Sequence, residues 1–175
     1  IYEQNPSDEY TTIADFLLLG SYMGWGCSGG EIKDSCVADI APTISVFGLY
    51  DDYYHGWTPH LRIGQHACLD YISRGFYLIN HSGHGYYGWI YVDPVHPAQE
   101  ALAGGHIQYL DNIEKWSFMY STSCASADFT YPGDDCFGER WLSAGSGADE
   151  KGLIAYLGHT KCGWFSPSAP AQLVQ

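Results

Sequence analysis

Two loops of this sequence carry the side chains of a thiol nucleophile and a partner for its proton. The first loop spans residues 80–86 (NHSGHGY) and the second spans residues 121–129 (STSCASADF). A free thiol is mostly protonated at neutral pH, so an imidazole must hold its proton and later deliver one to a leaving group. His84 and Cys124 are therefore the candidate catalytic pair. The chemistry that suits them is nucleophilic attack on a carbonyl carbon.

Backbone groups beside these residues could stabilise the charge that such an attack creates. The glycines on either side of His84 leave room for a substrate backbone to approach. The N–H groups of Gly85 and Cys124 are the candidate donors to an oxyanion. Nothing else in the chain supplies this combination of a thiol, an imidazole and backbone donors.

Both loops follow short apolar runs that read as strands. Such runs are apolar on both faces, which is typical of buried parallel strands. Reactive groups collect beyond the carboxyl ends of parallel strands, and neighbouring strands lie about 4.8 Å apart. The sequence therefore predicts that the two loops meet at one edge of a sheet. The runs are residues 15–20, 43–48, 76–80, 116–121 and 152–158.

Segments between these runs are suited to helices. Strands that alternate with helices predict an α/β sandwich around a mainly parallel sheet. Pro42 is expected to end the first helix, and Thr58-Pro59 to begin the second. The predicted helices span residues 31–40, 58–72, 107–113 and 136–142.

The composition describes one packed domain and excludes two classes of function. The 175 residues are 46% hydrophobic and 15% charged, which predicts a single domain over residues 1–175. Twenty acidic residues against seven basic ones give a net charge of −13, so nucleic-acid binding is not expected. No apolar run approaches the roughly 18 residues of a membrane span. The first residue, Ile1, suggests a processed or partial segment of a longer precursor.

Residue usage favours a secreted or cell-surface protein, with 15 Tyr, six Trp and 21 Gly against few Lys. Six cysteines permit disulfides, and Cys27 and Cys36 are near enough in sequence to close a small loop. If Cys124 stays free for chemistry, at least one further thiol is unpaired within the chain.

Metal binding is the first alternative. His81 and His84, with His96 or Cys124, could be read as zinc ligands, but their spacing matches no common zinc motif. No cofactor is expected to be required. Acid-rich loops occur at residues 51–52 and 134–135. Such loops would suit calcium as a structural ion.

A binding module without catalysis is the second alternative, because aromatic residues cluster in two places and could bind carbohydrate. Dense aromatic residues are more often core and loop anchors. This interpretation also leaves the two candidate loops unexplained. The aromatic clusters are Tyr50, Tyr53, Tyr54 and Trp57, and Tyr86, Tyr87 and Trp89.

The stretch from residue 76 to residue 164 resembles the catalytic subdomain of gingipains, within the caspase and legumain clan. Residues 80–85 match the histidine loop of that family, and residues 124–129 look like its nucleophile loop. Residues 136–139 are similar to the start of a family helix. Residues 152–158 are similar to the family strand that comes after this helix, and Trp164 falls near an aromatic residue of the family's specificity pocket.

This resemblance implies a caspase-like α/β/α sandwich in which the five runs have the order 2-1-3-4-5. It also implies a cysteine endopeptidase acting on polypeptides, with His84 and Cys124 as a dyad that forms a thioester acyl-enzyme. A sortase-like transpeptidase on the same fold, resolved by an amine instead of water, is a third alternative. An inactive relative would serve as a binding module.

The chain departs from the family pattern in two places. Arginine-specific members carry an acidic residue soon after the first strand, whereas this chain has no carboxylate there before Glu31. Cleavage after Arg is thus not implied, and an aromatic-lined pocket is expected. The chain ends soon after Trp164, so further strands would belong to a partner chain or another segment of the precursor. Asp8 or Glu9 could orient the imidazole, a role left unassigned. The expected pocket residues are Tyr22, Ser121, Thr122, Ser123 and Trp164.

Overall fold

Eleven strands and three α-helices make up the part of the chain that the computed structural model describes, namely residues 15–24, 26–40, 44–51, 60–93, 100–143 and 151–163. The strands are β1 (Asp15–Gly20), β2 (Tyr22–Gly24), β3 (Cys27–Ser28), β4 (Ser45–Tyr50), β5 (His60–Arg62), β6 (Leu78–Ser82), β7 (Gly85–Tyr86), β8 (Trp89–Asp93), β9 (Glu100–Ala103), β10 (Ser117–Ser121) and β11 (Leu153–Leu157). The helices are α1 (Gly29–Val37), α2 (Gln65–Ser73) and α3 (Phe137–Ser143), and a 3-10 helix spans Gly104–Tyr109.

Six strands form the central sheet, in the order β11-β10-β6-β1-β4-β5. Every pair of neighbours in this sheet is parallel. The five predicted strands are all present, and their predicted order of 2-1-3-4-5 is confirmed. Because β6 and β10 are neighbours in register, His81 lies opposite Ser121 at their carboxyl ends.

One face of the sheet carries the main hydrophobic core. Alternate residues of a strand point to the same face, so Leu17 and Leu19 of β1 share a face with Ile79 of β6 and Met119 of β10. These four side chains are fully buried in one cluster with residues of the helices α2 and α3. The helical members of the cluster are Cys68, Leu69, Ile72, Phe137 and Trp141.

Helix α1 packs on the opposite face. Its Lys33 donates a hydrogen bond to Asn80 Oδ1 at 2.6 Å, and Asn80 lies on β6 between two residues that face the main core. Ser28 caps this helix by accepting a hydrogen bond from Gly30 N–H at 3.1 Å. Helices on both faces of a parallel sheet confirm the predicted α/β/α sandwich.

The prediction of a second helix over residues 58–72 was wrong for its first half. Residues 60–62 form the edge strand β5 and pair in parallel with β4, and the helix begins at Gln65 after Gly64. The apolar pattern of three residues cannot distinguish a strand from a helical turn, and here the pairing with β4 stabilises the strand. Thr58 and Pro59 lie outside the described residues.

The remaining helices follow the prediction in part. Helix α1 begins two residues earlier than predicted and ends at Val37, and α3 confirms the prediction for residues 136–142. Residues 107–113 were predicted as a helix, whereas the chain forms the 3-10 helix Gly104–Tyr109 and leaves it at Leu110. Within the described ranges, no helix is both long and apolar enough to cross a membrane.

Candidate active site

The two candidate loops meet at the carboxyl ends of β6 and β10. Thr122 N–H donates to His81 O at 3.1 Å, which ties the start of the second loop to the end of β6. Farther out, a Cβ atom added to Gly85 would lie only 2.4 Å from Ser123 Cβ. Gly85 follows His84 and Ser123 precedes Cys124. The two candidate catalytic residues therefore come from chain segments in direct contact.

His84 lies on a short turn that a second sheet supports. Strands β7, β8 and β9 form an antiparallel sheet in which Gly85 pairs with Ile90. Tyr91 N–H donates to His84 O at 2.9 Å, so the backbone of His84 is held while its side chain is exposed. No feature of the sequence predicted this three-stranded sheet.

Cys124 lies on a tight turn immediately after β10. Its side chain is partly buried, and its Sγ donates a long hydrogen bond to Gly163 O at 3.7 Å. The next residue, Ala125, has a φ of 51°. This left-handed conformation is uncommon for a residue with a side chain, and it turns the chain sharply behind the thiol.

Residues after β11 line the far side of the Cys124 loop. Ala125 N–H donates to Lys161 O at 2.8 Å, and Ala127 N–H donates to His159 O at 3.1 Å. Lys161 Nζ also donates to the buried carboxylate of Asp128 at 2.8 Å. The hydrogen bond from Lys161 is the first cause of a lowered pKa at Asp128. The loop is thus clamped between β6 on one side and residues 159–161 on the other.

A second histidine is buried beneath the site. His81 Nε2 lies 2.9 Å from Tyr91 O, and His81 Nδ1 lies 2.8 Å from Ser121 Oγ. Burial lowers the pKa of His81 to about 3, so its ring is neutral at physiological pH. His81 is therefore a fully enclosed imidazole three residues before the exposed His84.

Hydroxyl groups continue from His81 beneath the Cys124 loop. Ser121 Oγ lies 2.7 Å from Ser123 Oγ, and Ser123 Oγ donates to Ser126 Oγ at 2.8 Å. Tyr156 of β11 donates to Ser126 Oγ at 2.7 Å. The sequence analysis missed this buried network. The one signal for it was the spacing of two between Ser121 and Ser123, which places both on one face of an extended chain.

Residues 2–174 match the model of peptidase family C25. The chain belongs to this family. The match covers almost the whole sequence, and it confirms the resemblance to gingipains that the two loops suggested. No curated protein matches the sequence significantly.

Solved structures agree with the C25 assignment in fold. The Arg-specific cysteine proteinase gingipain R (RgpB) superposes with a TM-score of 0.69 at 18% identity, over 90% of this chain and 34% of its own. A complex of the pro- and mature domains of Porphyromonas gingivalis RgpB gives 0.69 at 18% identity, over 93% and 36%. A third structure, described as a protease, gives 0.64 at 19% identity, over 91% and 31%. This C25 chain spans about a third of the length of each.

The predicted pocket residues of the C25 chain differ in their exposure. Ser121 and Ser123 have fully buried side chains, and Thr122 is also buried. Tyr22 is partly buried, and its phenol oxygen accepts a long hydrogen bond from Gly26 N–H at 3.5 Å. Trp164 lies outside the described residues, as do Asp8 and Glu9. The role of these residues beside a substrate stays a prediction.

Among the residues of the C25 chain that the structure describes, no group of three or more His, Cys, Asp and Glu side chains is arranged to hold a metal ion. Both ring nitrogens of His81 are within hydrogen-bonding distance of protein atoms, which argues against zinc there. Asp134 forms an ion pair with Arg140. His96 and Asp52 lie outside the described residues, and calcium stays a prediction.

All six cysteines are free thiols, so the disulfide that Cys27 and Cys36 could form is absent. Burial raises the pKa of Cys27, Cys68 and Cys136. A raised pKa disfavours the thiolate, so these three are poor nucleophiles at neutral pH. Cys36 and Cys162 are exposed.

Proposed function

We propose that this family C25 chain is a cysteine endopeptidase that hydrolyses polypeptides, with Cys124 as the nucleophile and His84 as its proton partner. The observation that carries the proposal is the contact between Gly85 and Ser123, which brings the two loops together in a chain of a peptidase family. Exposure of His84 and partial exposure of Cys124 leave both side chains within reach of a peptide.

The first half of the reaction forms an acyl-enzyme. His84 holds the thiol proton while Cys124 Sγ attacks the scissile carbonyl carbon, and the carbonyl electrons move to its oxygen. The N–H groups of Gly85 and Cys124 stabilise this oxyanion. When the oxyanion collapses, the C–N bond breaks and His84 delivers the proton to the departing amine. The product is a thioester on Cys124.

The second half releases the acyl group. His84 takes a proton from a water molecule as that water attacks the thioester carbon, and a second tetrahedral oxyanion forms at the same N–H groups. Its collapse breaks the C–S bond, and the proton returns to the sulfur. A carboxylic acid product leaves and the dyad is restored.

The setting of this activity is part of the same proposal. We expect a polypeptide substrate, a secreted or cell-surface location, and a longer precursor that supplies further segments of the catalytic domain. A structural calcium ion would be held by acidic loops and would take no part in the chemistry.

The test is thiol mapping with an electrophilic peptide probe, read residue by residue by mass spectrometry between about pH 5 and 8, where an imidazole partner titrates. Cys36 and Cys162 are exposed and serve as internal controls for accessibility alone. We expect selective labelling of Cys124 that is lost in His84→Ala. Equal labelling of all three thiols, or labelling of Cys124 that survives His84→Ala, would overturn the dyad.

A further inference from the structure

We propose that His81 is a positioning residue for both catalytic loops, holding the Cys124 loop through Ser121 and the His84 loop through Tyr91. The inference rests on the proposed function and deepens it. It gives the two histidines of one short loop different tasks, which their spacing in sequence does not distinguish.

His81 reaches the His84 loop through the backbone of Tyr91. Tyr91 O lies 2.9 Å from His81 Nε2, and Tyr91 N–H donates to His84 O at 2.9 Å. One residue of β8 is therefore bound by both histidines, by His84 at its N–H and by His81 at its carbonyl oxygen. Ser21 Oγ, from the end of β1, also donates to Tyr91 O at 3.2 Å.

His81 reaches the Cys124 loop through Ser121. Tyr91 O can only accept a hydrogen bond, so the hydrogen of the neutral ring is on Nε2 and Nδ1 accepts from the Ser121 hydroxyl. Ser121 Oγ in turn accepts a hydrogen bond from Ser123 N–H at 3.2 Å. His81 thus orients the hydroxyl that holds the backbone of the residue immediately before Cys124.

His81 itself cannot serve as the catalytic base. Its side chain has no exposed surface, and both ring nitrogens are occupied by Tyr91 and Ser121. A protonated ring would also have to give up the hydrogen bond from Ser121. Gly83 packs directly against the ring, since a Cβ added there would lie 2.7 Å from His81 Nε2. Its task is geometric.

The strand β10 offers a matched pair of variants. Ser117 and Ser121 are both fully buried, but Ser117 Oγ has no hydrogen-bond partner among the described residues. Ser121→Ala and Ser117→Ala therefore remove the same atom, and only the first breaks the link between His81 and the Cys124 loop. The difference between the two variants isolates the positioning effect from the general effect of a smaller buried residue.

Measurements on these variants are kcat and KM for a peptide substrate, the pH dependence of alkylation at Cys124, and the melting temperature. We expect Ser121→Ala to lower kcat by about tenfold to a hundredfold with KM within about twofold, because small displacements of reacting groups cost rates of this size. The midpoint of the alkylation pH profile should not move, because Ser121→Ala removes neither member of the proposed dyad. Ser117→Ala should keep kcat within about twofold.

A second pair of variants tests His81 directly. It keeps the proposal testable if Ser121→Ala fails to fold. His81→Gln keeps a donor and an acceptor, whereas His81→Leu keeps neither. We expect His81→Gln to have a higher kcat than His81→Leu, with equal melting temperatures in the two variants. The proposal is overturned if Ser121→Ala and Ser117→Ala have equal kcat, if Gln and Leu are equivalent at position 81, or if the alkylation midpoint shifts. Full activity in Cys124→Ala would instead sink the proposed function itself.

Discussion

Gly85 and Ser123 pack so closely that the contact between the histidine loop and the nucleophile loop leaves no space for a side chain at position 85. The added Cβ would lie 2.4 Å from Ser123 Cβ and 2.9 Å from Ser123 Oγ, and both of these atoms are buried against the His81 network. The two loops are therefore in contact one residue away from each candidate catalytic residue.

Gly85→Ala should push the two loops apart. Because Ser123 donates from its N–H to Ser121 Oγ and from its hydroxyl to Ser126 Oγ, it cannot move aside without breaking hydrogen bonds. We expect peptidase activity to fall by at least about a hundredfold and the melting temperature to drop, as for other small-to-large changes in packed sites. Gly88→Ala is the control, because an added Cβ there meets no atom within 4 Å. Normal activity in Gly85→Ala would show that the contact does not govern the site.

Cys124→Ala should abolish cleavage and leave the fold intact. The thiol makes one long hydrogen bond, to Gly163 O at 3.7 Å, so its removal should cost less than about 1 kcal/mol in the free energy of unfolding. Cleavage of a peptide library and a chemical denaturation curve measure the two effects. The exposed Cys36 supplies the control Cys36→Ala, which should keep full activity. Substantial turnover without Cys124 would contradict its assignment as the nucleophile.

His84→Ala should lower activity by a factor similar to that of Cys124→Ala, since residues of one dyad act as a unit. For the same reason, the double variant should be no slower than either single variant. Because the imidazole is exposed, we expect little change in the melting temperature. His66→Ala removes another exposed imidazole, on α2, and should be neutral. A near-normal kcat in His84→Ala would mean that another group carries the proton.

Lys33 should make the stability of the protein depend on pH. Burial lowers the pKa of this lysine to about 7, against 10.5 for an ordinary lysine. Below about pH 7 both the folded and the unfolded chain carry the proton, and the folded state bears the full cost of a buried charge. Between about pH 7 and 10.5 only the unfolded chain is protonated, so stability should rise with pH by up to about 1.4 kcal/mol per pH unit.

Lys33→Met should flatten that pH dependence and raise stability most at and below neutral pH. Denaturation curves at several pH values measure the free energy of unfolding of each variant. Lys115→Met is the control because Lys115 is exposed. The control variant should keep the slope of the unaltered protein. If stability rises with pH at the same slope in Lys33→Met and in the unaltered protein, folding does not lower the pKa of Lys33.

Residue patterns predicted the central architecture because they record burial. Strands β1, β4, β6, β10 and β11 are apolar runs of the kind that is typical of parallel sheets, and each occurs within two residues of where it was expected. The edge strand β5 and the sheet formed by β7, β8 and β9 escaped prediction. These strands are short or mixed in polarity, and pairing with other strands stabilises them.

The sequence by itself determined that this chain is an α/β protein with His84 and Cys124 in loops that follow two apolar strands, because strand periodicity and loop composition are local properties. Only the tertiary structure decided how the two histidines differ. His81 and His84 are three residues apart in one loop, yet one is enclosed by Tyr91 and Ser121 and the other is exposed. The hydrogen-bond partners of His81 lie on β8 and β10, ten and 40 residues away along the chain, so the pattern of the loop itself could not assign them.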